Sequence, residues 1–275
     1  MHTIGHCLGG EASGQSVICD NLVMHRFLTI RHPCLAPHTA SHMFLEEIVM
    51  AHKAKIAVLL AGCGHLDGAE IREAVFALLA LDQRGVEVQC LAPNSPQAHV
   101  VDHTNGQVVE GAMRNILEEA SRIARVGKCL DLAQAKASDY DALVLPGGFG
   151  VAKNLCDFAF KGTAGAVRPD VAPFIQAFFE AGKPVGAICI SPALVALCLA
   201  AAGKRARLTL GDGQDIQAAM EKLGHDYQSV PTARDIVIDE GLKLVTTPAY
   251  MFDDARLSDV WVGIDRCVEA VLARC

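Results

Sequence analysis

Lys183 to Gly203 reads Lys-Pro-Val-Gly-Ala-Ile-Cys-Ile-Ser-Pro-Ala-Leu-Val-Ala-Leu-Cys-Leu-Ala-Ala-Ala-Gly, and no other stretch limits the possible folds as much. Pro184 to Ile188 reads as a short buried strand. From Ser191 the pattern turns helical, with Pro192 where a missing N–H costs nothing and Ser191 placed to cap. Cys189 sits on the join, with the small residues Ala187 and Ser191 two positions away on either side. A tight strand-to-helix turn needs small neighbours there, because its central side chain is pushed outward while backbone approaches on both sides. The run from Pro184 to Gly203 carries no charge, so a membrane span competes with this reading. Pro192 near its middle, and the amphipathic α/β pattern on either side, argue against a span. Cys198, on the apolar face of the following helix, is expected to be a plain buried hydrophobe.

The rhythm around that stretch is strand, loop, helix, repeated from Lys55 onward. Ile56–Ala61 is an apolar strand, followed by the loop Gly62-Cys63-Gly64-His65-Leu66-Asp67-Gly68 and a helix over Ala69–Gln83 that Gly85 ends. Val86–Leu91 is the next strand. Residues 93–110 are polar and turn-rich, with room for a hairpin, and Ala112–Arg125 is helical. A strand from Asp141 stops at Pro146, and Gly147-Gly148-Phe149-Gly150 leads into a helix near Ala152–Phe158. Pro169–Ala181 is helical, Ala206–Leu210 a strand and Gln214–Leu223 a helix. Asp235–Ile238 and Leu242–Thr246 form a turn-linked pair, and Asp254–Ala273 is a long C-terminal helix. Alternating strands and helices with near-continuous apolar strands specify an α/β fold: a mostly parallel sheet with helices on both faces.

Residues 1–49 lack any sustained period and hold six of the eleven histidines. They lack the Arg-rich, acid-poor character of a transit peptide. Met50-Ala-His-Lys-Ala-Lys then leads straight into the first strand. The expectation is a disordered or mis-assigned extension over 1–49, with Met50 as the start and 50–275 as a single α/β domain. A net charge of −7 without a basic cluster excludes nucleic acid and anionic membrane as partners. Eleven cysteines without C-x-x-C or zinc-site spacing, and odd in number, point to reduced thiols in a cytoplasm, and to no metal or other cofactor.

Ligands of such sheets sit outside the carboxyl ends of the strands. Three segments deliver chemistry to that edge. Glu70 and Glu73 begin the first helix, where either would complement its dipole, and their one-turn spacing does not choose between them. Gly147 and Gly148 allow backbone N–H groups close to a substrate oxygen. Cys189 stands at a helix N-terminus, where the dipole is expected to lower its pKa. With backbone donors at Gly148 and Ile190, these residues make a nucleophile, an acid/base and an oxyanion pocket.

Lys55-Ile-Ala-Val-Leu-Leu, Gly62-Cys-Gly-His-Leu-Asp-Gly-Ala-Glu-Ile-Arg-Glu-Ala-Val, Leu145-Pro-Gly-Gly-Phe-Gly-Val-Ala-Lys-Asn-Leu, Gly182-Lys-Pro-Val-Gly-Ala-Ile-Cys-Ile-Ser-Pro-Ala and Val245-Thr-Thr-Pro-Ala-Tyr-Met together resemble the ThiJ/PfpI superfamily, within the class I glutamine-amidotransferase-like fold. The nearest resemblance is to its enhancing-lycopene-biosynthesis (ElbB) branch, described as glyoxalase-like, and it covers most of residues 52–273. It implies a flavodoxin-like three-layer sandwich and a homodimer. It singles out Glu73 as the active-site glutamate, Cys189 as the elbow cysteine and Gly148 as the oxyanion glycine. The implied reaction converts a small 2-oxoaldehyde, glyoxal, to a 2-hydroxy acid, glycolate, without glutathione or metal. The same activated cysteine also fits a non-catalytic redox or stress sensor, or an accessory protein of isoprenoid metabolism.

One departure matters. Many superfamily members carry a histidine on the strand after the elbow helix, whereas Leu208-Thr-Leu-Gly-Asp-Gly has none. His225, one helix further on, is expected at the surface, and a lone loop histidine such as His65 is expected to face solvent. Without a partner histidine, glutamine hydrolysis and peptidase activity lose ground and proton transfer rests on Glu73 alone, which implies a slow enzyme. His65, Phe149 and Tyr250 are the loop residues expected to shape the pocket.

Overall fold

The computed structural model describes residues 53–275; the expected extension over 1–49 and the start at Met50 lie outside the described residues. β1 (Lys55–Leu59) alternates its side chains between two apolar layers, as a strand covered on both faces must. Ala57 and Leu59 face one layer, while Ile56 and Val58 face the other. α1 (Ile71–Gln83) and β2 (Glu87–Ala92) follow, then a small hairpin of β3 (Val101–Asp102) and β4 (Gln107–Val108). α2 (Ile116–Ala124) is capped by Asn115, whose side chain accepts from the N–H groups of Leu117 and Glu118. β5 (Cys129–Asp131) and β6 (Ala142–Leu145) complete the first half.

The second half begins with a single π-helical turn over Val151–Leu155, where an α-helix was expected, and the short α3 (Phe158–Lys161). α4 (Ala172–Glu180), β7 (Val185–Ile188) and α5 (Ser191–Ala201) come next. β8 (Arg207–Leu208) and β9 (Asp226–Tyr227) pair with each other in a separate ribbon, with α6 (Gln214–Lys222) between them. β10 (Val237–Asp239), β11 (Leu244–Thr247) and α7 (Leu257–Leu272) end the chain.

The seven-stranded sheet has the order β10-β11-β7-β6-β1-β2-β5. Every pairing is parallel except that of β10 with β11. The fold is the flavodoxin-like α/β sandwich expected from the sequence. Phe174, Ile175 and Phe178 of α4 and Leu194 and Val195 of α5 pack one face of the sheet. Ala74, Ala77 and Leu81 of α1 and Val260, Ile264 and Val268 of α7 cover the other. The strand order proceeds from β1 to β2 and β5 on one side and to β6, β7 and β11 on the other, so a crevice opens at the carboxyl ends of β1 and β6. The uncharged run from Pro184 to Gly203 is thus a core strand and a buried helix. Among the described residues no helix is long and apolar enough to cross a membrane.

Two local expectations need correction. Ser191 does not cap α5: it is the first helical residue, and its buried hydroxyl donates to the Pro146 carbonyl at 2.8 Å. That bond ties the elbow to the loop after β6. His225 is buried rather than superficial. Its Nδ1 accepts from the Ala206 N–H at 3.2 Å while Nε2 faces the Ala196 carbonyl at 2.9 Å, which fixes a neutral ring protonated on Nε2. Burial also pulls its pKa down.

Candidate active site

Cys189 occupies the turn between β7 and α5 with φ of 61°, a left-handed conformation that a non-glycine residue adopts only when its surroundings enforce it. Its N–H donates to the Thr247 carbonyl at 2.9 Å, extending the β7–β11 pairing to the elbow itself. The residue is 7 % exposed and borders a cavity of about 570 Å³. The N–H groups of Gly148 and Ile190 both donate toward its sulfur.

Glu73 is fully buried beside that sulfur, one turn into α1. Its Oε2 accepts from the Gly147 N–H at 3.1 Å and its Oε1 from the Tyr250 N–H at 3.2 Å. The carboxyl also hydrogen-bonds the Cys189 thiol. Burial, followed by the charge of Glu70, pushes its pKa from 4.5 up to about 8, against the pull of those hydrogen bonds. Glu73 therefore holds a proton at neutral pH.

The thiol does not follow the expectation of a lowered pKa. Burial pushes Cys189 up, and so does an ionised Glu73 next to it; the Gly148 and Ile190 N–H groups work the other way without prevailing. The helix N-terminus supplies the Ile190 donor and the loop after β6 the Gly148 donor, but burial of the sulfur, with an ionised Glu73 next, outweighs them. The two groups titrate as a pair, and a thiolate is favoured only while Glu73 keeps its proton.

Glu70 has a different task. Its side chain caps α1 by accepting the Glu73 N–H at 2.7 Å, and its other oxygen takes the Arg72 Nε at 3.0 Å. It thus orients the backbone from which Glu73 projects.

The glycines of the loop after β6 are demanded by close approach. A Cβ on Gly147 would lie 2.6 Å from Oε2 of Glu73 and would collide with the Cβ of Cys189. Gly148 has φ of 101°, and a Cβ there would strike the backbone of Glu70. The two loops are stitched by Glu70 N–H to the Gly147 carbonyl at 2.9 Å, Phe149 N–H to His65 at 2.7 Å and Gly150 N–H to Gly68 at 2.9 Å. Gly147 is consequently no oxyanion donor: its N–H is spent on Glu73. Gly148 and Ile190 remain the two N–H groups directed at the Cys189 sulfur.

His65, Phe149 and Tyr250 all line the cavity, with Glu70, Arg72, Gly148 and Ile190 and, at the mouth, Asp253, Asp254 and Leu257. His65 is exposed and its pKa is lowered, chiefly by partial burial and then by His103, whose ring meets it edge-on at 5.2 Å. Sequence reasoning missed Arg72 and the Tyr250 backbone. Arg72 was signalled only by its place two residues after a capping glutamate. Tyr250 acts through its N–H, which no side-chain pattern reveals. Among the described residues no group of three or more His, Cys, Asp or Glu side chains is arranged to hold a metal ion.

The human glutamine amidotransferase-like class 1 domain-containing protein 3, mitochondrial, is 42% identical over 230 residues, covering 80% of this chain and 82% of that protein. The rat ES1 protein homolog, mitochondrial, is 40% identical over 255 residues, 86% of this chain and 92% of its own length. A crystal structure of an isoprenoid biosynthesis protein with amidotransferase-like domain from Ehrlichia chaffeensis superposes with a TM-score of 0.74 at 38% identity, covering 80% of this chain and 99% of that one. The sequence pattern of the DJ-1/PfpI family matches residues 54–251, a span that holds the buried glutamate, both stitched loops and the cysteine elbow. The chain belongs to the DJ-1/PfpI family.

Proposed function

We propose that the protein is a cofactor-independent, glyoxalase-type lyase that converts a small 2-oxoaldehyde such as glyoxal to the 2-hydroxy acid, glycolate. The observation that carries this reading is the buried Cys189–Glu73 pair, in which a neutral carboxyl hydrogen-bonds a thiol that itself lines a cavity. Loss of one proton from the pair leaves a thiolate beside a carboxylic acid as one of its two forms. That sulfur adds to the aldehyde carbon, and the Glu73 proton passes to the carbonyl oxygen, giving a hemithioacetal. The Gly148 and Ile190 N–H groups receive the developing oxyanion. Glu73, now a carboxylate, takes the hydrogen of the sulfur-bearing carbon as a proton and returns it to the neighbouring carbon through an enediol. The product is a hydroxyacyl thioester, which water cleaves to release glycolate and the thiol.

A sensor whose resting cysteine is oxidised by peroxide needs a readily formed thiolate. The burial that raises the Cys189 pKa holds back the thiolate that the sensor and the lyase both need, so turnover of an aldehyde is what separates the two readings. We place the activity in a reducing compartment, the cytoplasm, on the cysteine usage; the human and rat relatives are named mitochondrial, and fractionation of tagged protein distinguishes the two.

The test is glyoxal consumption with glycolate formation by wild type, Cys189→Ser and Glu73→Gln. Either substitution is expected to lower kcat/KM by about 100-fold or more. Equal consumption by all three overturns the reading. Turnover by wild type is expected to rise as pH passes through about 8, where the Cys189–Glu73 pair loses its first proton and the thiolate form becomes populated.

A further inference from the structure

The cavity is far larger than glyoxal needs. At about 570 Å³ it falls within the range of about 300–1,000 Å³ that holds ligands of drug size, whereas glyoxal has four heavy atoms. Among the described residues, the surplus space has one permanently charged cation on its wall, Arg72. Arg72 lines the cavity and is held on two sides: its Nε donates to Glu70 at 3.0 Å, and its guanidinium stacks 4.5 Å over the Tyr250 ring. Its two terminal nitrogens make no hydrogen bond among the described residues, so a planar donor edge is left for a ligand. An arginine fixed by pairing and stacking loses little entropy when it binds a planar anion.

The charges around it fit one class of ligand. Both Glu70 oxygens are occupied, by the Glu73 N–H and by Arg72. Glu73 is protonated at neutral pH, and the Cys189 thiol is uncharged. Burial and His103 lower the pKa of His65, which favours its neutral form. Asp253 and Asp254, exposed at the mouth, oppose a second negative charge. We infer that Arg72 is a specificity residue that recognises the carboxylate of a monoanionic substrate, so that the favoured substrates are 2-oxoaldehydes carrying a distal carboxylate. The inference rests on the proposed lyase chemistry for its reaction but not for its anion site. A compound of this class, 4,5-dioxopentanoate, would add the Cys189 sulfur at its aldehyde carbon. Transfer of that carbon's hydrogen to the adjacent carbonyl carbon and hydrolysis by one water give 2-hydroxypentanedioate and the free thiol.

Two measurements test it. The first needs no turnover: alkylation of Cys189 by N-iodoacetylglycine, whose carboxylate lies four bonds from the reacting carbon as in 4,5-dioxopentanoate, and by its uncharged amide, followed by peptide mass spectrometry at one pH. The ratio of the two rates is expected to fall about tenfold to a hundredfold in Arg72→Met, the effect of losing one charge-assisted contact, with Arg72→Lys intermediate. The second compares 4,5-dioxopentanoate with its methyl ester in wild type, where the free acid is expected to have the higher kcat/KM, and in Arg72→Met, where the preference is expected to vanish. An unchanged alkylation ratio, or equal use of acid and ester by wild type, overturns the inference. A collapsed ratio with no turnover of either compound upholds the carboxylate site and overturns the lyase reading instead.

Discussion

At the scale of single residues, Glu73 carries the most physical tension. A carboxyl with no exposure stays neutral unless its donors repay the lost hydration, and two backbone N–H groups fall short of that. The unfolded carboxyl titrates at its ordinary 4.5 and the folded one at about 8. Between those values the folded state keeps a proton that the unfolded state has released, so this group's contribution to stability falls as pH rises across the window. Glu73→Gln lacks that dependence. The variant's Tm is therefore expected to gain on wild type from pH 4.5 to 8 and to hold a constant offset above, read by calorimetry across a pH series. The amide itself turns one N–H₂ toward a backbone donor, at a pH-independent cost of about 1 kcal/mol or more. Gly147→Ala makes a second prediction at this scale. The added methyl collides with the Cys189 Cβ and the Glu73 carboxylate, costing about 1–3 kcal/mol. Turnover is expected to be lost together with part of the thermal stability.

At the scale of elements, the site is a meeting of four strand ends whose loops hold one another. Ser191 illustrates the point, since its hydroxyl spans from α5 to the Pro146 carbonyl at the end of β6. Ser191→Ala leaves that buried carbonyl unpaired and is expected to cost about 1–3 kcal/mol in denaturant unfolding. No change in midpoint would show that the two elements are held together without it. The elements that bear the core were legible in the sequence because burial on two faces demands unbroken apolar runs, as in Ile56–Leu60 and Val185–Ile188. β5 was not legible: its three residues, Cys129–Asp131, are partly exposed at the sheet edge and carry no apolar run. The turn at Val151–Leu155 was legible only as a helix near Ala152–Phe158, and its π-helical form was not. Cys189 was legible as an elbow from its small neighbours. The sign of its pKa shift was not, because that depends on how deeply Glu73 is buried beside it.

At the scale of the whole molecule, one half of the sheet supplies the acid and the other the nucleophile, so the reacting pair exists only when the fold is complete. Glu73 comes from the helix after β1, Cys189 from the turn after β7, and the Tyr250 N–H from the loop after β11. The homodimer implied by the family resemblance stands as a proposal. The exposed row Ile71, Val75 and Leu79, one helical turn apart along α1, is the face we expect it to cover. Light scattering is expected to give twice the chain mass for wild type and the single mass for Val75→Glu. A wild-type chain that runs as a monomer would remove the proposal.

The account stands on Glu73 holding a proton at neutral pH beside the Cys189 sulfur. Titration of its side-chain carboxyl carbon by NMR, in glutamate-labelled protein with the resonance assigned through Glu73→Gln, tests this most directly. A midpoint near 8 is the predicted result. A midpoint near the ordinary 4.5 would mean that the carboxyl is ionised throughout the neutral range, and would contradict the account.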